Sequence, residues 1–552
     1  MSVETRSRVR VKVGIEFHHP LAFWVGTTLI SAGVCLHLPD FFMMRDMGYM
    51  MAGMPMSPSM EAGMAAIICG IGLAAYGLIP RRDAIAKVDQ GGRKYHLRAM
   101  DDARLTGAHW GLLFVLGVAL IVDVMKPATL GFVVPGMREE YGLSTQQALL
   151  LPLFALTGTT IGSFLWGMVA DRVGRRAAIM FASLIFIGTA ICGFMPSFGW
   201  NLLMCFVMGL SAGGMLPIVY ALMAESVPAH DRGWLVVLHG GMGTVGGFLA
   251  ASGLAMLLEP HFGWRILWLA GLPTGLLVLF LNRWIPESPR FLLERGRIDD
   301  ARAVMARYGV EIEEDTAGAT AEHDVMPVQS AAGHWSGLTR LFRGPLASHS
   351  IVVGLYGLAW GLVNWGFLTM VPTILRDKGI ASGSVSSELF LAALIAVPGT
   401  VAVAYLYGRW SSKRSMIGYA LATAVTLLAF AFVNPGAGDE TTLKVLMVAL
   451  LVTSGGVISM LSPYTAEVYP TELRGTGSGL AAGASKMGGI IGPQAAGLIL
   501  GISTGFAGVA TMMAVPSIVA AVALVVKGVE TKGRGLEEIE AQHLLAVPDP
   551  VA

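Results

Sequence analysis

The chain carries few charged residues for its length, and this shortage indicates its class. Asp, Glu, Lys and Arg together make up 14% of its 552 residues, whereas soluble proteins carry about 25%. Hydrophobic residues make up 54% of the chain, and its mean hydropathy is +0.64. A soluble fold could not remove so much apolar surface from water, but lipid solvates it. The composition therefore predicts a membrane protein.

Net charge and cysteine are scarce as well. The formal net charge of +1 provides no bulk attraction to nucleic acid, so we expect no nucleic-acid partner. All four cysteines lie inside apolar runs, which is typical of small buried side chains rather than of a disulfide framework or a zinc site. They are Cys35, Cys69, Cys192 and Cys205.

Motifs that bind nucleotides or perform hydrolysis are missing too. The sequence has no phosphate loop, zinc signature or nucleophile elbow. One match to the dinucleotide fingerprint, at 241–246, lies within a predicted membrane helix with no strand before it, and we interpret it as a helix-packing feature. The sequence therefore predicts no enzyme activity, no cofactor and no process powered by ATP.

Long apolar runs are what the chain has instead. A membrane-spanning helix needs about 20 apolar residues, and fourteen such runs occur. They lie near 21–38, 62–80, 109–134, 147–170, 177–195, 201–223, 234–258, 265–284, 350–372, 387–408, 415–433, 443–466, 477–500 and 506–526. Basic residues cluster in the loops on one side of these spans. The positive-inside rule therefore predicts a multi-pass protein of the cytoplasmic (inner) membrane, surrounded by lipid, with both termini in the cytoplasm.

The last twelve spans form two halves that repeat. Six residues of the stretch 213–233 recur 242 positions later, in 455–475. They are Gly213, Gly214, Glu225, Pro228, Arg232 and Gly233, which return as Gly455, Gly456, Glu467, Pro470, Arg474 and Gly475. Duplicated six-helix halves are typical of carriers with one midplane site and two gates. We predict an all-α membrane protein with two pseudo-symmetric six-helix bundles and two additional N-terminal transmembrane helices.

This pattern divides the chain into five predicted segments. They are a two-helix N-terminal extension with a methionine-rich external loop (1–108), an N-terminal bundle (109–284), a cytoplasmic linker (285–349), a C-terminal bundle (350–527) and a cytoplasmic tail (528–552).

The loop between the second and third core spans carries the most specific motif, GMVADRVGRR, at 167–176. It resembles the signature loop of the major facilitator superfamily, and a weaker copy, GRWSSKR, stands at 408–414. PESPRFLLERGR (286–297) and VETKGRGLEEIE (529–540) resemble the sugar-porter and organic-ion branches. The resemblance covers about 109–540 and implies a small-solute carrier with a cytoplasmic gate network. The implied gate residues are Gly167, Asp171, Arg172, Gly174, Arg175, Arg176, Glu225, Arg232, Glu467 and Arg474.

Two charges stand in the middle of the first core span. Asp123 and Lys126 are three residues apart, so they share a helix face. A charge at mid-bilayer costs about 2.5–3.5 kcal/mol on insertion scales, so these two residues are expected to face a wet cavity or each other. The segment resembles the first helix of aromatic-acid and metabolite proton symporters. We hypothesise that Asp123 carries the coupling proton, with its proton affinity set by Lys126 and burial; the alternative is a static structural pair.

Five further polar or aromatic residues are candidates for contact with substrate or protons. Tyr356, Trp360 and Asn364 form a stripe along the seventh core span, which faces either the cavity or its packing neighbours. Lys486, in the eleventh, is a cation that can hold a carboxylate. His239, in the fifth, is either a proton relay or a hydrogen-bonded structural residue. Many relatives have an arginine in the fourth helix where this chain has a cysteine at position 205, which argues against anion binding by that route.

The loop of the N-terminal extension is rich in methionine. Soft thioether ligands at such spacing suit Cu(I), and the candidates are Met47, Met50, Met51, Met54 and Met56. The alternative is that methionine fills irregular space against the membrane surface. We predict no metal centre as the default.

These observations lead to one primary hypothesis and two alternatives. The primary hypothesis is a proton-coupled symporter of a small organic metabolite, either an organic or aromatic acid or a sugar-like solute, that acts as a monomer by alternating access. An exporter or uniporter is the first alternative. A copper-linked membrane transporter or sensor is the second.

Overall fold

Helices make up almost all of the chain that the structure describes. The structure is a computed structural model, and it describes residues 17–79, 95–96, 103–310, 313–314, 339–344, 346–377, 382–433, 440–469, 473–500 and 505–531. One two-residue antiparallel ladder, between β1 (Tyr95–His96) and β2 (Glu313–Glu314), is present. The predicted all-α class is confirmed.

The N-terminal extension is a helical hairpin. Its helices are α1 (Pro20–Cys35), the short α2 (Leu38–Met43) with a 3-10 turn at Met44–Met47, and α3 (Pro58–Leu78). Proline at the first position of α1 and α3 suits a helix start, and the Ser57 hydroxyl accepts a hydrogen bond from the Met60 amide to cap α3. Gly26 lies against the backbone of α3 with no space for a side chain, which allows the two helices to pack closely.

The N-terminal half of the core begins at Gly107. Its long helices are α4 (Gly107–Glu140), α6 (Leu150–Val173), α7 (Arg175–Gly188), α8 (Phe198–Ala212), α9 (Met215–Ser226), α10 (Ala229–Phe262) and α12 (Gly271–Leu281). Short helices α5 (Thr145–Ala148) and α11 (Ile266–Leu269) and 3-10 turns at Thr189–Phe194 and Asn282–Trp284 connect them. After the last of these, α13 (Pro289–Glu294) and α14 (Ile298–Arg307) follow in the linker.

The C-terminal half repeats this arrangement. Its helices are α15 (Leu346–Gly361), α16 (Val371–Asp377), α17 (Ser382–Tyr405), α18 (Ser412–Phe430), α19 (Glu440–Val468), α20 (Arg474–Leu500) and α21 (Gly505–Lys527). Two π-helical segments interrupt regular helix, at Leu362–Leu368 and Leu406–Trp410. Such segments recur at functional sites because they displace side chains from the regular helical positions.

Twelve helices of the described residues are long and apolar enough to cross a membrane, and they include α1 and α3. Two further predicted spans are present as α18 and α20, which are richer in polar residues and glycine. Helix α20 packs inside the bundle, against α15 and α6. A helix that faces protein needs less apolar surface than one that faces lipid, which explains its lower hydropathy.

The helical bundle has two ends, the signature end and the distal end. The signature end carries Asp171 and Glu225, and the distal end carries Glu140 and Arg265. Helix α4 runs from the signature end to the distal end, and Asp123 lies at its midpoint.

Candidate functional site

The signature loop forms an ion-pair cluster in the N-terminal half. The guanidinium of Arg175 lies 3.2 Å from a Glu225 carboxylate oxygen and 3.4 Å from Asp171. Arg175 and Glu225 are mostly buried, whereas Asp171 is 75% exposed. The structure thus brings together three of the residues implied by the signature motif.

A carboxylate that the sequence analysis did not select organises this loop. The Glu287 oxygens accept hydrogen bonds from the backbone amides of Arg175 (2.8 Å), Arg176 (3.3 Å) and Ser288 (3.0 Å). An acid at the first turn of α7 satisfies amides that have no partner within the helix. Burial raises the pKa of Glu287 above its ordinary value, and these hydrogen bonds oppose that shift. Gly174 has a φ of 103°, and a side chain there would collide with Glu287.

The C-terminal half repeats this cap with Glu530. Its oxygens accept hydrogen bonds from the Ser412 amide (2.9 Å) and hydroxyl (2.6 Å) at the start of α18, and from the Ser411 hydroxyl. Glu287 and Glu530 are 243 positions apart, close to the 242-residue repeat of Glu225 and Glu467. This near-constant offset within PESPR and VETKGR was the sequence signal that could have identified both caps.

Glu467 lies within the same cluster of the C-terminal half. It accepts hydrogen bonds from Tyr407 (2.8 Å) and Thr531 (2.5 Å). The Thr531 amide in turn binds the Ser412 hydroxyl at 3.0 Å. The segment after the last helix is therefore fastened to the loop before α18, as Glu287 fastens the linker to the signature loop.

The other implied gate residues lie around these clusters. Arg232 donates to the carbonyl of Val227 at 3.0 Å, and Arg295 of the linker donates to the carbonyls of Asp171 and Arg172. Arg474 begins α20, but its side chain lies outside the described residues. Gly167 was expected to allow close helix approach; instead, an added Cβ there would meet no atom within 4 Å among the residues that the structure describes.

Asp123 lies at the centre of the molecule, where it faces the other half. Its side chain is buried, and the charged group that acts on it is Lys486 of α20. No direct ion pair joins the two within the described residues. The Lys486 ammonium instead donates to the carbonyl of Thr159 on α6 at 3.0 Å, so it bridges the halves next to Asp123.

Lys126 does not pair with Asp123, which corrects the expectation of a shared charge pair. Its ammonium points into the N-terminal half, where it donates to the Phe186 carbonyl (2.5 Å) and the Thr189 hydroxyl (2.6 Å) and lies 4.0 Å from the Phe186 ring centre. No carboxylate lies within ion-pair distance of this ammonium in the described part of the chain.

The stripe on the seventh core span does not face one environment. Tyr356 is fully buried, and its hydroxyl donates to the Met416 carbonyl at 3.4 Å. Tyr356 and Trp360 line a small cavity of about 10 Å³ within the C-terminal half, together with residues such as Ser454. Asn364 lies in the π-helical segment and is half-buried. The structure therefore separates Asn364 from the other two.

His239 lies between two backbone carbonyls. Its Nδ1 lies 2.9 Å from the Leu235 carbonyl on its own helix, and its Nε2 lies 2.9 Å from the Leu113 carbonyl on α4. The Leu113 contact ties α10 to α4, whereas the Leu235 contact lies within α10, and such carbonyl contacts are expected of a hydrogen-bonded structural histidine.

The distal end carries a connection between the halves that the sequence analysis missed. Glu259 of α10 forms an ion pair with Arg376 of α16, and both side chains are largely buried. Close by, the Gln494 amide of α20 donates to the Leu149 carbonyl of the N-terminal half at 2.9 Å. Glu259 and Arg376 are separated by 117 residues with no shared motif, so no local pattern indicated this pair.

The halves also touch along helices α10, α17 and α19, where Trp234 lies close to Gly408 near the signature end. On the α6 and α20 side the arrangement differs. Gly479 and Gly483 share the face of Lys486 that points to α6, yet an added Cβ at either would meet no atom of the described residues within 4 Å. Toward the distal end of this side Gln494 is hydrogen-bonded to Leu149, whereas open space adjoins Gly479 and Gly483 nearer the signature end.

The methionines of the extension loop do not share one environment either. Met51 is buried, Met54 and Met56 are partly buried against the core, and Met47 and Met50 are exposed. This distribution matches the packing interpretation for the first three. The copper hypothesis stays untested.

Comparisons with known proteins identify the family of this fold. The family described as Major Facilitator Superfamily matches residues 112–493. The chain belongs to the Major Facilitator Superfamily. It is a multi-pass membrane transporter and not an enzyme, and the extension lies outside the matched segment.

Two relatives within the superfamily are similar over most of their length. A niacin transporter of Acinetobacter baylyi is 28% identical over 78% of this chain and 96% of its own. A 4-hydroxybenzoate transporter of the same species is 28% identical over 81% of this chain and 98% of its own. The xylose transporter of E. coli, in a partially occluded inward-open conformation, has a similar fold, with a TM-score of 0.61, 17% identity, and coverage of 77% of this chain and 99% of that one.

Proposed function

We propose that this protein is a proton-coupled symporter of a small aromatic carboxylic acid. The observation that carries the proposal is that the charges of Asp123 and Lys486 interact across the two halves, although no ion pair joins them in the described part of the chain. A lysine without a bound carboxylate can accept one from a substrate. The relatives' printed substrates, niacin and 4-hydroxybenzoate, are both aromatic carboxylic acids.

Charge balance in this pair supports coupling to a proton. In the empty site, ionised Asp123 compensates the charge of Lys486, and an added substrate anion would leave one buried negative charge in excess. Protonation of Asp123 removes that excess, because the substrate carboxylate then compensates Lys486. A net buried charge is costly in a low-dielectric interior. The site therefore changes its exposure from one side of the membrane to the other most readily with both ligands bound or with neither.

Contacts at the two ends of the bundle support an assignment of the two gates. We place the signature end in the cytoplasm, in agreement with its basic loops. The Glu259–Arg376 pair then closes the external side, and the open space adjoining Gly479 and Gly483 faces the cytoplasm. Alternating access would break that pair and close the signature end instead, since contacts that exist in only one state bias the equilibrium between states.

Uptake by the purified protein in proteoliposomes tests the proposal. With labelled niacin or 4-hydroxybenzoate and an inward proton gradient, the parent chain should accumulate substrate above equilibrium. Asp123→Asn should abolish this accumulation and retain exchange of labelled for unlabelled substrate, because the substituted site is permanently neutral at that position. Uphill, pH-dependent uptake by Asp123→Asn would refute the proton assignment. Transport of xylose but of neither acid would refute the substrate class.

A further inference from the structure

One buried carboxylate of the core binds the loop of the N-terminal extension. Glu140, the last residue of α4, accepts hydrogen bonds from the amides of Met51 (2.7 Å) and Ala52 (3.0 Å) in the extension loop. The same carboxylate accepts from the Trp264 indole (2.9 Å) and the Arg265 guanidinium (2.6 and 3.1 Å). Glu140 is 5% exposed and Arg265 1%. A buried ion pair is stable only when its remaining hydrogen-bonding capacity is satisfied, and the loop amides supply part of that capacity.

Two further contacts hold the loop to the distal end. The Gly53 amide donates to the Pro196 carbonyl at 2.9 Å. Tyr49 stacks on Phe41 within the extension, and its ring centre lies 5.7 Å from that of Phe262 in the core. The loop thus reaches the ends of α4 and α10 and the turn before α8.

The end of α10 needs such support. Pro260 lies in its last turn, where it cannot donate to the carbonyl of Met256 and so weakens the helix. Gly263, with a φ of 68°, then ends the helix. Glu259, which pairs with Arg376 across the halves, lies next to this proline and within one turn of Phe262.

We propose that the extension loop is a brace for the distal gate: through Glu140 and Phe262 it fixes the last turn of α10, so that Glu259 stays in position to pair with Arg376. Glu140, Met51, Ala52 and Tyr49 are positioning residues, since none of them contacts Arg376. The brace assigns a role to the part of the chain that lies outside the superfamily match. It depends on the distal contacts alone and not on the identity of the substrate or the coupling ion.

Accessibility of a reporter cysteine tests the brace. Thr373 of α16 is buried and lies one turn before Arg376, so Thr373→Cys should react with a polar maleimide only when the distal gate opens. The parent for the measurement is the full-length chain in nanodiscs, with Cys35→Ser and Cys69→Ser to remove the two exposed thiols. Glu259→Gln provides the open-gate reference.

Ala52→Pro removes one amide donor, and Tyr49→Ala removes the ring that lies against Phe262. Each should raise the labelling rate of Thr373→Cys roughly two- to tenfold, the range that one lost hydrogen bond or contact corresponds to. Met50→Leu, at an exposed neighbouring position, is the matched control and should leave the rate unchanged. Glu140→Gln should raise the labelling rate of Thr373→Cys further, and Glu140→Asp should bring this rate part of the way back to that of the parent.

Parent-like labelling in both Ala52→Pro and Tyr49→Ala, while Glu259→Gln labels fast, would overturn the brace. Size-exclusion profiles and thermal midpoints of each variant exclude unfolding as the cause of faster labelling. A chain that fails to transport aromatic acids but shows this labelling pattern would disprove the proposed substrate and keep the brace.

Discussion

Glu259 and Arg376 form a buried ion pair between the two halves of the transporter, at the end opposite to the signature loop. Each residue stands near the end of a helix, on α10 and α16, and their pairing joins elements that have to separate if the site is to open at this end. Removal of one partner from a buried pair costs about 3–5 kcal/mol, because the other charge is left without compensation.

Exchange of the two charges tests this gate. Glu259→Arg or Arg376→Glu alone should destabilise the distal-closed state and reduce uptake at least tenfold, whereas the double variant should recover part of the activity. The measurement is initial uptake in proteoliposomes, with distal accessibility of Thr373→Cys as the readout of state. Equal loss in the single and double variants would show that the pair does not act as a gate.

Substitution of Lys486 separates charge from geometry in the proposed site. Lys486→Arg retains the cation and should keep a measurable, weaker affinity for a carboxylate substrate, while Lys486→Gln should raise the apparent KM at least tenfold. One hydrogen bond to a charged group contributes about 1.5–3 kcal/mol, which sets this scale. Substrate-dependent protection of the protein from thermal unfolding measures binding directly. Unchanged protection in Lys486→Gln would exclude this residue from the site.

Lys126→Met distinguishes the two hypotheses for the second charge of α4. The Lys126 ammonium donates to a carbonyl and a hydroxyl, and no carboxylate pairs with it in the described part of the chain. We therefore expect Lys126→Met to be neutral or to stabilise the fold by about 1–4 kcal/mol, as in other replacements of buried charge. Proton-driven uptake should persist. Its complete loss in a well-folded Lys126→Met protein would instead place Lys126 in the coupling mechanism.

The two carboxylate caps should contribute equally to the two halves. Glu287→Gln and Glu530→Gln each replace an ionised acceptor at a helix start by a neutral one, and each should lower stability by about 1–3 kcal/mol. Thermal unfolding in detergent measures the effect, and Asp299→Asn, at a side chain of the same linker that is 94% exposed, provides the control. A midpoint shift in one variant only would contradict the symmetric role of these residues.

The methionine hypothesis is testable at the exposed side chains. Met43, Met47 and Met50 are more than half exposed, so their combined substitution by leucine should change neither stability nor aromatic-acid uptake. Isothermal titration with Cu(I) under reducing conditions measures any soft-metal site directly. Tight binding by the parent and none by the triple-leucine variant would support the copper hypothesis instead.

The architecture could be predicted from local information. Apolar runs, the 242-residue repeat and the signature loop identified the helical bundles and the ion-pair cluster of Arg175 and Glu225. Individual contacts could not be predicted from local information, because the direction of a side chain depends on the neighbours of its helix. Asp123 and Lys126 share a face by spacing, yet their charged groups point to different partners, because a long lysine side chain reaches a carbonyl one helix away. The five-segment division and the site assignments stay predictions.

The sequence by itself determined that this chain crosses the membrane as two related helical bundles, because hydrophobic length and periodicity are properties of consecutive residues. Only the tertiary structure decided which charges meet: Glu259 with Arg376, Asp123 facing Lys486, and Glu140 with the extension loop. These partners lie between 88 and 363 positions apart, and electrostatic interaction depends on distance in space, which the packing of helices sets and the order of residues does not.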